Sequence, residues 1–225
     1  MQVIVLVAIL FIFVMSVILH EVAHGYVARL CGDYTAEAQG RLTLNPIAHI
    51  DPVFTILVPL IFYFVTQGAF IFGGAKPVPI NIYNFRHLKR DYLYVSAAGV
   101  ATNLAIAVVL AGMLHVGLRL PLNVEGSVAE AILAGGIFFN LLLALFNLIP
   151  IPPLDGSRIL RSLLPDPLIN VFDRLDRFGI ALVFLFVWLF MGLVLRGILL
   201  SFGLLGFSYV EVARFLREIR QAMGR

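Results

Sequence analysis

The chain is poor in charge. Of its 225 residues only 13% are Asp, Glu, Lys or Arg, whereas 61% are apolar. A soluble domain carries about 25% charged residues. The shortage, with a mean hydropathy of +1.00, excludes that class and indicates an integral membrane protein. Cysteine is almost missing: Cys31 stands alone, so an intrachain disulfide is excluded and the redox compartment stays open. The first apolar run lacks a basic n-region and an A-x-A-like cleavage site, so it is expected to remain as a spanning helix. Internal repeats and low-complexity segments are also missing. No polar stretch leaves room for a sizeable soluble domain, and a single domain over 1–225 is expected. The net charge of +3 comes mostly from arginines near segment ends, which suits membrane orientation and argues against nucleic acid as a partner.

What is present is a series of apolar runs. Val3 to Leu19 continues in helical pattern to about Leu30. Val53 to Phe72 is broken by Pro59, Gln67 and Gly68. Tyr92 to Leu118 and Val128 to Ile149 follow, and Gly179 to about Val210 is interrupted by Arg196, Gly203 and Gly206. Runs of about 18 or more apolar residues read as membrane spans. The expected fold is an all-α polytopic membrane protein, a bundle of about 4–6 transmembrane helices with a re-entrant or membrane-associated β-like loop. Core motifs fill 1–164, and C-terminal helices fill 165–225.

Basic residues follow the first run (Arg29, Arg41), fill the middle loop (Lys76, Arg86, Lys89, Arg90) and follow the fourth run (Arg158, Arg161, Arg174, Arg177). The positive-inside rule places all three groups in the cytoplasm. That requires Val53–Phe72 to enter and leave on one side, as its breaks allow. The basic tail has two readings: one crossing puts it outside, and a short return after Arg196 brings it back.

The stretch "HEVAH" at 20–24 is the chemical anomaly. His20 and His24 lie one helical turn apart and share a face, and this spacing lets two imidazoles reach one zinc ion. Glu21 beside them is placed to take a proton from water activated by the metal. Ionisable groups near bilayer depth default to function. A catalytic zinc needs a third protein ligand, but Val27 and Leu30 occupy the stretch where a third histidine of the metzincin type would fall. Glu37, Asp33, His49, Asp51 and Asp155 remain. Asp155 is favoured because it follows the fourth run, where three prolines and Gly156 break the helix. The parity of the crossings brings it to the depth of His24. Its bland role is to cap the helix 156–164, and His49 is the rival ligand.

Together, "HEVAHGYVA" at 20–28, "NPIAHIDP" at 45–52, "GGAKPVPIN" at 73–81, "AAGVATNL" at 97–104 and "FNLIPIPPLDGSRIL" at 146–160 resemble the site-2 protease family of intramembrane metalloproteases. The match resembles the short bacterial and archaeal form, without PDZ or CBS domains, from residue 1 to about 164. The resemblance implies that His20, His24 and Asp155 hold one zinc ion and that Glu21 is the general base. It implies that Asn147 steadies the substrate carbonyl or oxyanion, although a helix–helix hydrogen bond would also explain that amide. Asn103 sits where the family usually reads Gly-Pro-x-x-x-Asn, with Val100 replacing the proline, and is read as packing between helices. The segment 73–81 looks like an edge that could pair with an unwound substrate.

The expected partners are single-span membrane substrates, lipid and regulatory proteins in trans. The expected location is the prokaryotic plasma membrane, with the active site toward the cytoplasm. Two rivals are a non-catalytic helix-binding protein, which would be expected to have lost Glu21 or a ligand, and an ion transporter. The transporter would need more intramembrane polar groups than Asn103, His115 and Asn140.

Overall fold

A computed structural model describes residues 2–65, 67, 73–119, 127–165, 169, 174 and 177–222. The described residues are helical, without a strand. The helices are α1 (Gln2–Leu30), α2 (Thr35–Ala38), α3 (Val58–Val65), α4 (Leu88–Arg119), α5 (Val128–Asn147), α6 (Asp155–Leu163), α7 (Gly179–Leu204) and α8 (Tyr209–Ala222). Four of them, α1, α4, α5 and α7, are long and apolar enough to span a membrane. This is the low end of the expected range.

Small residues let the first three spans close on one another. A Cβ on Gly135 would stand 2.5 Å from Ile9, and one on Gly136 would stand 2.8 Å from Leu110. The α1 and α5 backbones therefore approach closely, as membrane helices do where glycine replaces bulk. Phe13 stacks edge-on against Phe139 at 5.3 Å, and Val5 and Ile9 pack on Ala131. Positions rise together along α1 and α5, so these helices are parallel. Helix α4 runs against both, since Val95 meets His24 and Asn103 meets Ser16. Ala107, Ala111, Leu114, Ile137 and Leu141 join Val194, Ile198 and Phe202 of α7 in the main core.

Contacts define the path of the chain at two places. The Gly74 N–H donates to the Phe54 carbonyl at 3.0 Å, and Thr55 Oγ1 donates to the Gly74 carbonyl at 2.7 Å. The excursion between them, a π-helical turn Pro52–Leu57 and then α3, thus starts and ends at one place. Residues 66 and 68–72 of the second apolar run lie outside the described residues, as do 120–126 and most of 166–176. The segment 73–81 is extended but joins no sheet, so the β-like loop is a strap and not a strand pair.

The last run passes along the bundle once. Gly179 abuts Pro152, just before α6, whereas His115 near the end of α4 lies 2.8 Å from the Leu205 carbonyl. Gly206, at φ +88°, then ends the run four residues earlier than the sequence pattern suggests. The tail folds separately as α8. Val212 and Phe215 enter the core, and Arg214 bonds Glu130 at 2.7 Å near the start of α5. The tail therefore does not return after Arg196.

Candidate metal centre

Helix period brings His20 and His24 to one face of α1, with ring centroids 4.7 Å apart and planes at 83°. Each ring is turned by its Nδ1. His20 Nδ1–H donates to Asn103 Oδ1 at 2.6 Å, and His24 Nδ1–H donates to the Val95 carbonyl at 2.6 Å. Both acceptors lack a proton to give, so the neutral imidazoles carry hydrogen on Nδ1 and leave Nε2 as a bare lone pair.

The orientation of Asn103 is itself determined by a directional chain. Its Nδ2 donates to Asn140 Oδ1 at 3.1 Å; Asn140 Nδ2 donates to Ser16 Oγ at 3.0 Å; Ser16 donates to the Ile12 carbonyl at 2.7 Å. Asn103, Asn140 and Ser16 are all fully buried or nearly so. Asn103 thus does more than pack between helices: it aims His20. Sequence reasoning missed this role, and the available signal was two asparagines, Asn103 and Asn140, within apolar runs. Gly99, one turn before Asn103, lies beneath both rings. A Cβ there would come within 2.5 Å of His20 and His24 Nε2, so any side chain would displace the histidines.

Asp155 arrives from the other end of the chain. It is the first residue of α6, and the residue before it, Leu154, makes no side-chain cap. Its carboxylate does not cap the helix. Instead Oδ2 lies 3.1 Å from both His20 Nε2 and His24 Nε2, which are themselves 3.1 Å apart. Gly156 makes this possible by close approach, not by an unusual backbone angle. A Cβ there would stand 2.2 Å from the Leu148 carbonyl oxygen.

The rival ligands are committed elsewhere. Asp33 accepts from Thr35, from the Asn81 N–H at 2.7 Å and from Asn84 Nδ2 at 2.8 Å. Glu37 pairs with Arg29 at 2.9 Å, and Asp51 caps the turn at 52 through the Val53 and Phe54 N–H groups. His49 Nε2–H donates to the Thr43 carbonyl at 2.8 Å. Among the described residues, only His20, His24 and Asp155 form a group able to hold a metal.

Glu21 lies on the open side of the same turn. Its Oε2 accepts the Val78 N–H at 2.9 Å, which ties it to the strap of residues 73–81. Asn147 is not among the converging groups. Its Nδ2 donates to the Leu143 carbonyl of its own helix at 3.0 Å, with no bond to another helix among the described residues.

YwhC of Bacillus subtilis (strain 168), named as a candidate zinc metalloprotease, is 38% identical over 178 residues, 77% of each chain. The chain belongs to the site-2 protease family. The family model of peptidase family M50 matches residues 122–190, which contain Asp155. Two further relatives carry the same kind of name. Rip2 of Mycobacterium tuberculosis (strain H37Rv) is 32% identical over 182 residues, 81% of this chain and 66% of its own. Rip2 of Mycolicibacterium smegmatis is 32% identical over 146 residues, 63% of this chain and 51% of its own. The chain thus spans only about half the length of that last relative. No solved structure matches.

The names of these relatives specify zinc, and the donor set fits it. Two bare Nε2 atoms and a carboxylate oxygen converge with no hydrogen to share, an arrangement that repels itself without a cation. Tetrahedral zinc with bonds of about 2.0–2.1 Å spaces its ligand atoms about 3.3 Å apart, close to the 3.1 Å triangle found here.

Proposed function

We propose that this chain is an intramembrane endopeptidase that hydrolyses peptide bonds of single-span membrane proteins, with His20 Nε2, His24 Nε2 and Asp155 Oδ2 holding zinc and Glu21 as general base. The observation that carries the reading is the convergence of those three atoms on a membrane-spanning helix with Glu21 beside them. Zinc bound there would supply Lewis acidity, making water a nucleophile at neutral pH and polarising the scissile carbonyl.

The remaining work falls to side chains. Asn103 and the Val95 carbonyl keep both Nε2 atoms unprotonated and aimed. Glu21 accepts the proton of the attacking water and delivers it to the leaving amine. Its free oxygen, Oε1, serves this purpose, since Oε2 is held by the Val78 N–H. Asn147 keeps a second amide hydrogen beyond its bond to Leu143, and with it donates to the developing oxyanion. A helical substrate hides its carbonyls in its own hydrogen bonds, so it unwinds before cleavage. The basic loops on the site side support a cytoplasmic active site in the cell membrane, with regulatory proteins acting in trans on access.

Cleavage of a single-span substrate by reconstituted protein tests the scheme. Glu21→Gln is expected to abolish cleavage while retaining about one zinc per chain, and a chelator is expected to abolish cleavage reversibly. Cleavage persisting in Glu21→Gln would falsify the general-base role.

A further inference from the structure

Beside the site lies a buried cation that the scheme above leaves unused. Arg41 follows α2 and is only 8% exposed. Its Nη2 donates to the Lys76 carbonyl at 2.9 Å and, at a longer 3.4 Å, to the Pro77 carbonyl. Its Nε is buried without a partner, and no described carboxylate pairs with it. Burying a guanidinium against neutral carbonyls is costly, and those carbonyls lead toward Glu21.

The Pro77 carbonyl and the Val78 N–H belong to one peptide group. Its oxygen faces Arg41, and its N–H donates to Glu21 Oε2 at 2.9 Å. A cation and a carboxylate therefore lie at opposite ends of a single peptide dipole, each strengthening the other's bond in a low-dielectric setting. The strap cannot slide along α1. Val78 is 6% exposed, and a Cβ on Gly25 would come within 2.7 Å of its Cγ1. Further pins hold the strap on either side: the Lys76 N–H to the His49 carbonyl at 2.8 Å, and the Asn81 N–H to Asp33 at 2.7 Å.

We propose that Arg41 is a positioning residue for Glu21, acting through the Pro77–Val78 peptide to hold Oε2 so that Oε1 alone meets the reacting water. The proposal rests on Glu21 being the general base. It predicts that Arg41 affects turnover and leaves metal binding and substrate affinity alone.

The test compares wild type, R41Q, R41K, V78P and E21Q in the full chain reconstituted in lipid. Zinc per chain, kcat, KM and amide hydrogen exchange over residues 74–81 are measured. R41Q is expected to keep its zinc, to exchange faster across the strap and to lose roughly 10²-fold in kcat, the scale of a small misplacement of a reacting group. Its KM stays within about twofold. R41K recovers part of kcat, having the charge but carrying its donors on one nitrogen in place of the planar guanidinium fork. V78P removes the donor to Glu21 while leaving Arg41 in place, and loses kcat similarly. If R41Q cannot be folded, V78P decides.

Wild-type kcat in R41Q or V78P overturns the proposal. So does a loss confined to KM, which would make the strap a substrate contact, or a loss of zinc, which would make Arg41 merely structural. Cleavage by E21Q instead overturns the general-base reading, and is told apart from the case where E21Q is dead and R41Q fully active.

Discussion

At the scale of single residues, the centre depends on groups that never touch a metal. Asn103 is the best instance. Truncation to alanine leaves the His20 Nδ1–H and Asn140 Oδ1 unpaired in the buried interior, at a cost of about 1–3 kcal/mol for each such group. Asn103→Ala is expected to weaken zinc binding by roughly 10–100-fold, the usual effect of losing a partner that orients a metal-bound histidine. Zinc titration against a competing chelator measures it. An affinity equal to wild type would show that packing alone keeps His20 in place. Glycine makes the matching case by subtraction. Nothing in the stretch "AAGVATNL" says that Gly99 must be bare, because the reason is the imidazole pair that lands on it from another helix.

At the scale of elements, two short connections decide whether the site assembles. The first is the junction of α5 and α6. Gly156→Ala would drive a methyl into the Leu148 carbonyl and push Asp155 off the histidines. Zinc content is expected to fall well below one per chain while the four spans still insert; full occupancy in folded Gly156→Ala would contradict this reading of the junction. The second connection is the strap, moored by Asp33. Burial opposes ionisation of Asp33, but bonds from Thr35, Asn81 and Asn84 outweigh it and lower its pKa. A carboxyl with a depressed folded pKa stabilises above its unfolded value, about 3.9, and loses that contribution as pH falls through the folded value. Proteolytic nicking between 73 and 87 should therefore rise below about pH 4 in the wild type. In Asp33→Asn it should already be high at pH 7 and change less with acid.

The whole molecule has a topology that the charge pattern alone left undecided. Helix α1 runs toward the site, α4 away from it, α5 toward it and α7 away again. The start of α1 and all of α8 consequently lie at the end opposite the metal centre. Cysteines introduced at Thr43 and at Tyr209 are expected to label with an impermeant thiol reagent from opposite sides of sealed vesicles, with Thr43 on the cytoplasmic face. Cys31 is buried and should contribute little background. Labelling of both from one side would mean that α7 does not cross.

Much of this protein could be read from its sequence because the relevant physics is local. A run of apolar residues states its own length, and an i, i+4 pair of histidines states its own geometry, since both follow from a rise and a period that every α-helix shares. Shortage of charge defined the membrane class, and HEVAH pointed to the chemistry proposed for the site. Parity of crossings could bring Asp155 and His49 to similar depth but could not separate them, because depth is one coordinate and ligation needs three. Only the packing of α1 against α4 and α5, through Gly99, Gly135 and Gly136, brought Asp155 within 3.1 Å of both histidines and left His49 on a loop carbonyl. The same packing converted Asn103 from a buried amide into the group that aims His20. It also set Arg41 across one peptide from Glu21, 20 positions away in a chain whose pattern gives no hint of that contact. Those contacts join residues far apart in sequence, and the close approach of helices, not any local propensity, determines them.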